Sequence, residues 1–255
     1  MKRIMLKIAY DGTNYCGWQI QPNQTSVEGK LNEVISKLLN EEITVIGASR
    51  TDSGVHALGN VAVFDTKTII PSNKIMYVLN QKLPDDIKIK ETHEVDKSFH
   101  PRAVKSIKTY EYRILNSKVF LPQERYFSHM VYKRLDIDKM KKAAEYLCGE
   151  HDFTSFSSIK TEVKSKVRKI YKIEIDECGP YEMKNDGYES RLIKIRIVGN
   201  GFLYNMVRII VGTLINVGIG SYPPERIVEI LAGKNRKLAG STAPAKGLTL
   251  IGIEY

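Results

Sequence analysis

Residues 3–10 mix apolar and polar side chains as a half-buried strand does, and the turn-forming pair Asp11-Gly12 closes the run. A polar loop reaches Asn23. Beyond it Val27, Leu31, Val34, Ile35, Leu38 and Leu39 recur at the spacing of one buried helical stripe. Thr25 with Glu28 three positions on has the form of a capping box at that helix's start. Residues 43–48 and 58–65 read as strands on either side of a glycine-containing loop. Ser72 then caps a helix to residue 82, with Ile75, Met76, Val78 and Leu79 facing inward, and residues 87–95 form a further strand. The predicted order is βαββαβ.

After Pro101 the same order recurs. A strand at 106–115 leads to a helix at 138–148, where Met140, Ala143, Ala144 and Leu147 share a face. Strands at 167–176 and 188–198 are joined by a turn-rich segment at 178–187, and an apolar helix spans 202–217. A short helix at 225–231 and a closing strand at 248–254 complete the chain. The expected class is therefore α+β, built as two ferredoxin-like βαββαβ halves, residues 1–105 and 106–255. A single α+β domain of unrelated halves is the alternative.

Composition leaves that picture intact. With 255 residues, 42% hydrophobic and 27% charged, the chain can fill the core of one large domain or two small ones. Lysine and arginine outnumber aspartate and glutamate by 39 to 29, and the resulting +10 favours a polyanionic partner, although a solvated cationic face gives the same total. Cys16, Cys148 and Cys178 lie far apart without a C-x-x-C pair, so neither a disulfide framework nor a zinc knuckle is expected. Lys2, Arg3 and Lys7 interrupt the opening segment, and no apolar run approaches the roughly 20 residues of a membrane span. The expectation is a cytoplasmic protein that engages no membrane.

Three features could carry chemistry. Arg50-Thr51-Asp52 lies between Gly47 and Gly54, presenting a carboxylate on a loop between two strands. An aspartate near glycine is also a common turn residue. Arg208 is the only charged residue between Ile197 and Pro224 and sits inside the apolar helix. Stranding its charge there costs several kcal/mol (on the order of 3 to 5), so it needs an anion or a path to solvent along its own stem, and Asp52 is one candidate anion. In Lys108-Thr109-Tyr110-Glu111-Tyr112-Arg113, strand alternation puts both tyrosines on one face, as core or as a platform for an unstacked base. Lys160, Lys164, Lys166, Arg168 and Lys169 form a basic stretch, either a solvated hairpin or a phosphate-steering edge. The histidines show no H-x-x-x-H pair, and there is no P-loop, G-x-G-x-x-G or G-x-S-x-G pattern, which argues against ATP, nicotinamide and zinc catalysis.

Taken together these blocks are specific. Tyr10-Asp11-Gly12-Thr13 with Tyr15, Gly17, Trp18 and Gln19, then Arg50-Thr51-Asp52-Ser53-Gly54-Val55-His56-Ala57, resemble the opening loop and catalytic signature of the TruA family of tRNA pseudouridine synthases. Leu79-Asn80 with Leu83-Pro84-Asp85-Asp86-Ile87, Phe99-His100-Pro101-Arg102, the Tyr110 strand, Gly201-Phe202 through Gly212, and Ala239-Gly240-Ser241-Thr242-Ala243-Pro244 follow in the family's order over the whole chain.

The resemblance implies two ferredoxin-like halves whose antiparallel sheets meet around a central cleft, a homodimer in which one RNA contacts both subunits, and no cofactor. It implies that uridines in the anticodon stem-loop of tRNA are isomerised to pseudouridine. Asp52 is then the catalytic carboxylate and Arg208 its active-site partner; Tyr110 stacks on the target base and Arg50 holds the uridine out of its helix. Ser49, Ser53, Asn60 and Pro101 stand where Gly, Ala, Gln and Ala are expected, which keeps open a divergent second bacterial member acting on another RNA such as ribosomal RNA. A non-catalytic RNA-binding module shares the βαββαβ order, but no stretch fits the aromatic signature of an RRM. A structural ribosomal protein is a further reading, although long basic tails are missing.

Overall fold

The computed structural model describes residues 1–159, 161, 163–181 and 190–255. Lys160, most of the turn expected at 178–187 and the first residues of the strand expected at 188–198 lie outside these. In chain order the described residues form β1 (Lys2–Tyr10), α1 (Val27–Leu39), β2 (Ile46–Gly47), β3 (His56–Thr66), α2 (Ser72–Asn80), β4 (Ile87–Val95), β5 (Ile107–Asn116), β6 (His129–Val131), α3 (Ile137–Glu145), β7 (Gly149–Asp152), β8 (Val167–Tyr181), β9 (Ser190–Gly199), α4 (Met206–Gly218), α5 (Arg226–Gly233) and β10 (Leu248–Glu254). The class is α+β with mostly antiparallel pairing. Two compact units result, Met1–Ser106 with Thr249–Tyr255, and Ile107–Leu248.

In the first unit β1 lies between β3 and β4, antiparallel to both, and β2 pairs antiparallel with the far side of β3, giving the order β4-β1-β3-β2. Alternation along β1 buries Ile4, Leu6, Ile8 and Tyr10, and α1 buries Val27, Leu31 and Ile35. The cap of α1 is one residue later than the sequence predicts. Ser26 is the cap, its hydroxyl accepting from the Gly29 N–H at 3.1 Å, because the Thr25 carbonyl is engaged by the Cys16 N–H at 2.9 Å. β2 is shorter than expected for a related reason. The Ile43 and Val45 N–H groups donate to the side chains of Ser36 (3.0 Å) and Asn32 (2.9 Å) on α1, which removes them from the ladder.

The closing strand, expected in the 106–255 half, falls mostly in the first unit. β10 runs parallel to β3, with Thr249 opposite His56 and Leu250 opposite Ala57. Tyr255 donates its hydroxyl to the Pro101 carbonyl at 2.9 Å and meets Phe99 edge-on, ring centres 5.1 Å apart.

In the second unit β9 pairs antiparallel with β5 and β8, β7 with β8, and β6 runs parallel to β5. β6 and β7 span three and four residues, too short for periodicity to reveal. α4 begins at Met206 and not at 202, since Asn205 adopts φ 63°, a left-handed conformation through which a right-handed helix does not continue. Its apolar residues are buried, as are Met140, Phe153 and Phe156, and Met140 of α3 lies against Gly218 at its C-terminal end.

Candidate functional site

Asp52 sits on a loop whose shape is set by the opening segment of the chain. Gly17 and Asp52 form an isolated antiparallel bridge, and the Trp18 N–H donates to the Thr51 carbonyl at 3.0 Å. Gly17 has φ +108°, and a Cβ there would lie 2.6 Å from the Thr51 carbonyl oxygen, so only glycine permits this approach. A tight turn follows, the Val55 N–H reaching back to the Asp52 carbonyl at 3.1 Å, with Gly54 at φ 75°.

Beneath the loop lies a buried polar network. The Tyr10 and Thr51 hydroxyls are 2.7 Å apart, and the Asn60 amide donates to the Tyr10 oxygen (3.3 Å) and to the Ser49 carbonyl (3.0 Å). Asn60 is fully buried, while Tyr10 and Thr51 are nearly so. The network therefore holds the residues on both sides of Arg50, which is itself exposed, and the one preceding Asp52. Asp52 is half-buried. His56, also buried, accepts the Gly12 N–H at Nδ1 (3.0 Å), and the Tyr15 hydroxyl donates to Asp86 at 2.7 Å; burial first and that bond second push the Tyr15 phenol upward. The two sequence blocks that opened the family resemblance are thus one local structure.

Tyr110 and Tyr112 share the buried face of β5. Tyr110 meets Phe202 edge-on at 5.2 Å, and Tyr112 donates to the Pro244 carbonyl at 2.8 Å. Arg208 lies in the first turn of α4. Its Nε donates to the Ala243 carbonyl (2.7 Å) and Nη1 to the Asn205 side chain (2.9 Å), while the Arg208 carbonyl accepts the Ala243 N–H at 3.1 Å. Burial raises the Tyr112 phenol, and the nearby Arg208 charge opposes that rise. Gly212 lets the 239–244 segment lie against α4, since a Cβ there would stand 1.8 Å from the Ser241 carbonyl oxygen.

Each sequence-predicted residue therefore has a definite local place, with Arg50 and Asp52 in the first unit and Tyr110 and Arg208 in the second. The reading of Arg208 as a cation in apolar surroundings omitted two polar partners, Asn205 and the Ala243 carbonyl. The Tyr10, Thr51 and Asn60 network was also missed. Its one sequence signal is Asn60, a polar residue inside an apolar strand. In the basic stretch, Arg168 is half-buried and donates to the Ser165 and Val167 carbonyls at 3.0 and 2.6 Å, while Lys164 and Lys169 are exposed. Among the described residues, no three His, Cys, Asp or Glu side chains cluster as a metal site, and no helix is long and apolar enough to cross a membrane.

The family model described as tRNA pseudouridine synthase matches residues 7–102 and 143–255. The chain is 46% identical over 256 residues to the tRNA pseudouridine synthase A of Brevibacillus brevis, with all of both chains covered. It is 48% identical over 255 residues to that of Ruminiclostridium cellulolyticum and 46% identical over 255 to that of Thermoanaerobacter pseudethanolicus, again over the whole of each chain.

Proposed function

Because the chain belongs to the tRNA pseudouridine synthase family, we propose that its reaction turns on Asp52, with Arg208, Tyr110 and Arg50 serving the same uridine. The chain is an RNA pseudouridine synthase and tRNA is its substrate. The anticodon stem-loop as target, the homodimer and the cytoplasmic location rest on family membership. The order β4-β1-β3-β2 with two helices supports a ferredoxin-like first half, and β5-β9-β8 with α3 and α4 supports its counterpart.

Isomerisation breaks the N1–C1′ bond with its electron pair left on N1, turns the freed uracil and joins C5 to C1′; C5 then gives up its proton and N1 takes one up. Nothing is oxidised and no group donor is consumed. A carboxylate suffices, either attacking C1′ or removing the 2′ proton. For both routes Asp52 acts ionised, the form that a guanidinium partner such as Arg208 favours. Taking the base out of its stack costs a few kcal/mol (about 2 to 4), which stacking on Tyr110 offsets, while Arg50 helps hold the uridine out of the helix.

The build of the Asp52 loop carries this reading. Asp52 is half-buried on a backbone held at the residue itself by the Gly17 bridge and at the preceding residue by the Tyr10–Thr51–Asn60 network, so the course of the loop is set before RNA arrives. The test is tritium release from tRNA labelled at uracil C5. Wild type releases tritium and Asp52→Ala does not; equal release by the variant overturns the role of Asp52.

A further inference from the structure

Residues 118–134 carry Lys118, Arg125, Lys133 and Arg134 against one carboxylate, Glu124. That carboxylate is buried and bonded to Arg113 at 3.1 Å, so the outer face of the segment is cationic. The same segment exposes Phe120 and Tyr126, at 41% and 43%. The Arg125 guanidinium lies 4.3 Å from the Tyr126 ring centre, and the Lys246 ammonium 5.3 Å from that of Phe120. Lys246 also donates to the Arg125 carbonyl at 3.1 Å, which ties the two pairs into one patch. We infer that Phe120, Arg125, Tyr126 and Lys246 form a second contact for the substrate RNA, taking unpaired nucleotides with bases on the rings and phosphates on the cations.

Exposed aromatic side chains gathered together mark a binding surface. The cations select the partner class, because flat rings interleaved with lysine and arginine suit a polyanion whose every base offers a π-face. A guanidinium plane, like an aromatic ring, is a surface on which an unstacked base can lie. Position adds a second argument. Ala243 bonds Arg208 and Pro244 bonds Tyr112, while Lys246 lies only three residues beyond Ala243, a chain reach of at most about 10 Å. One short segment thus carries the carbonyl that holds Arg208 and the lysine that closes the patch. The inference rests on the RNA reading above and assigns a surface that catalysis does not use.

Fluorescence anisotropy with a labelled tRNA transcript tests it. The control is Tyr77→Ser, which removes another exposed tyrosine with a lysine, Lys74, over its ring on α2. Phe120→Ser with Tyr126→Ser should weaken binding about tenfold, Tyr77→Ser should not, and Lys246→Glu should lower the salt slope by about one. Should the double variant fail to fold, the Lys246→Glu slope decides. Affinities within twofold of wild type in folded variants overturn the inference. So does a change in sedimenting mass with unchanged affinity, which assigns the patch to contacts between copies of the chain. Binding needs no turnover, so wild type that binds tRNA and releases no tritium strikes the proposed reaction and leaves this surface standing.

Discussion

A tyrosine at the end of a strand does two things in this chain. The ring of Tyr10 fills core and its hydroxyl sets the Asp52 loop, bonding Thr51 while accepting from Asn60. Tyr10→Phe keeps the ring and leaves two buried polar groups short of a partner, at a cost of about 1–3 kcal/mol. We expect a lower urea midpoint together with a fall in kcat larger than any change in KM, since loop direction and not RNA affinity is altered. A purely structural role would leave kcat of the folded fraction untouched. The loop that carries Asp52 was legible as a glycine-flanked turn between two strands, and the blocks around it as those of the family. The role of Tyr10 was not, because alternation reports which face is buried and says nothing about where a polar tip ends.

At the scale of elements, periodicity located every long helix and strand, while hydrogen bonds moved their ends. The box Thr25-x-x-Glu28 has the right spacing, yet Ser26 caps α1 because the preceding loop takes the Thr25 carbonyl. Ser26→Ala should cost about 1 kcal/mol in chemical denaturation and Thr25→Ala clearly less, the reverse of what the box predicts. β2 contracted because α1 side chains satisfied its neighbours' N–H groups, a competition invisible to a pattern of apolar positions. On α4, Gly212→Ala should lower stability by about 1–3 kcal/mol through overpacking against the Ser241 carbonyl. It should also reduce tritium release beyond that loss, since the displaced segment carries the Ala243 carbonyl that positions Arg208.

For the molecule as a whole, charge governs pH and salt response. Arg3 grips Asp65 through two bonds of 2.8 and 2.7 Å, and chiefly that contact holds the Asp65 carboxyl below its usual range against the opposing effect of burial. Asp152 is likewise lowered, first by the Thr154 hydroxyl and then by Lys234. A folded-state value below the unfolded one means that the stabilisation is complete above roughly pH 4 and is lost as pH falls below it. Urea titrations from neutral to acidic pH should therefore show a falling stability limb that Asp65→Asn makes shallower. An unchanged limb removes Asp65 from the account.

Translation adds a timing to the strand that joins β3. The ribosome delivers residues in order, and the edge of β3 at His56 and Ala57 meets its parallel partner only when Thr249 and Leu250 emerge. Tyr255, which bonds Pro101 and packs on Phe99, arrives later still. An edge made earlier is covered later. Until then the strand leaving the Asp52 loop has an open edge on a nascent chain, a surface for chaperones to guard.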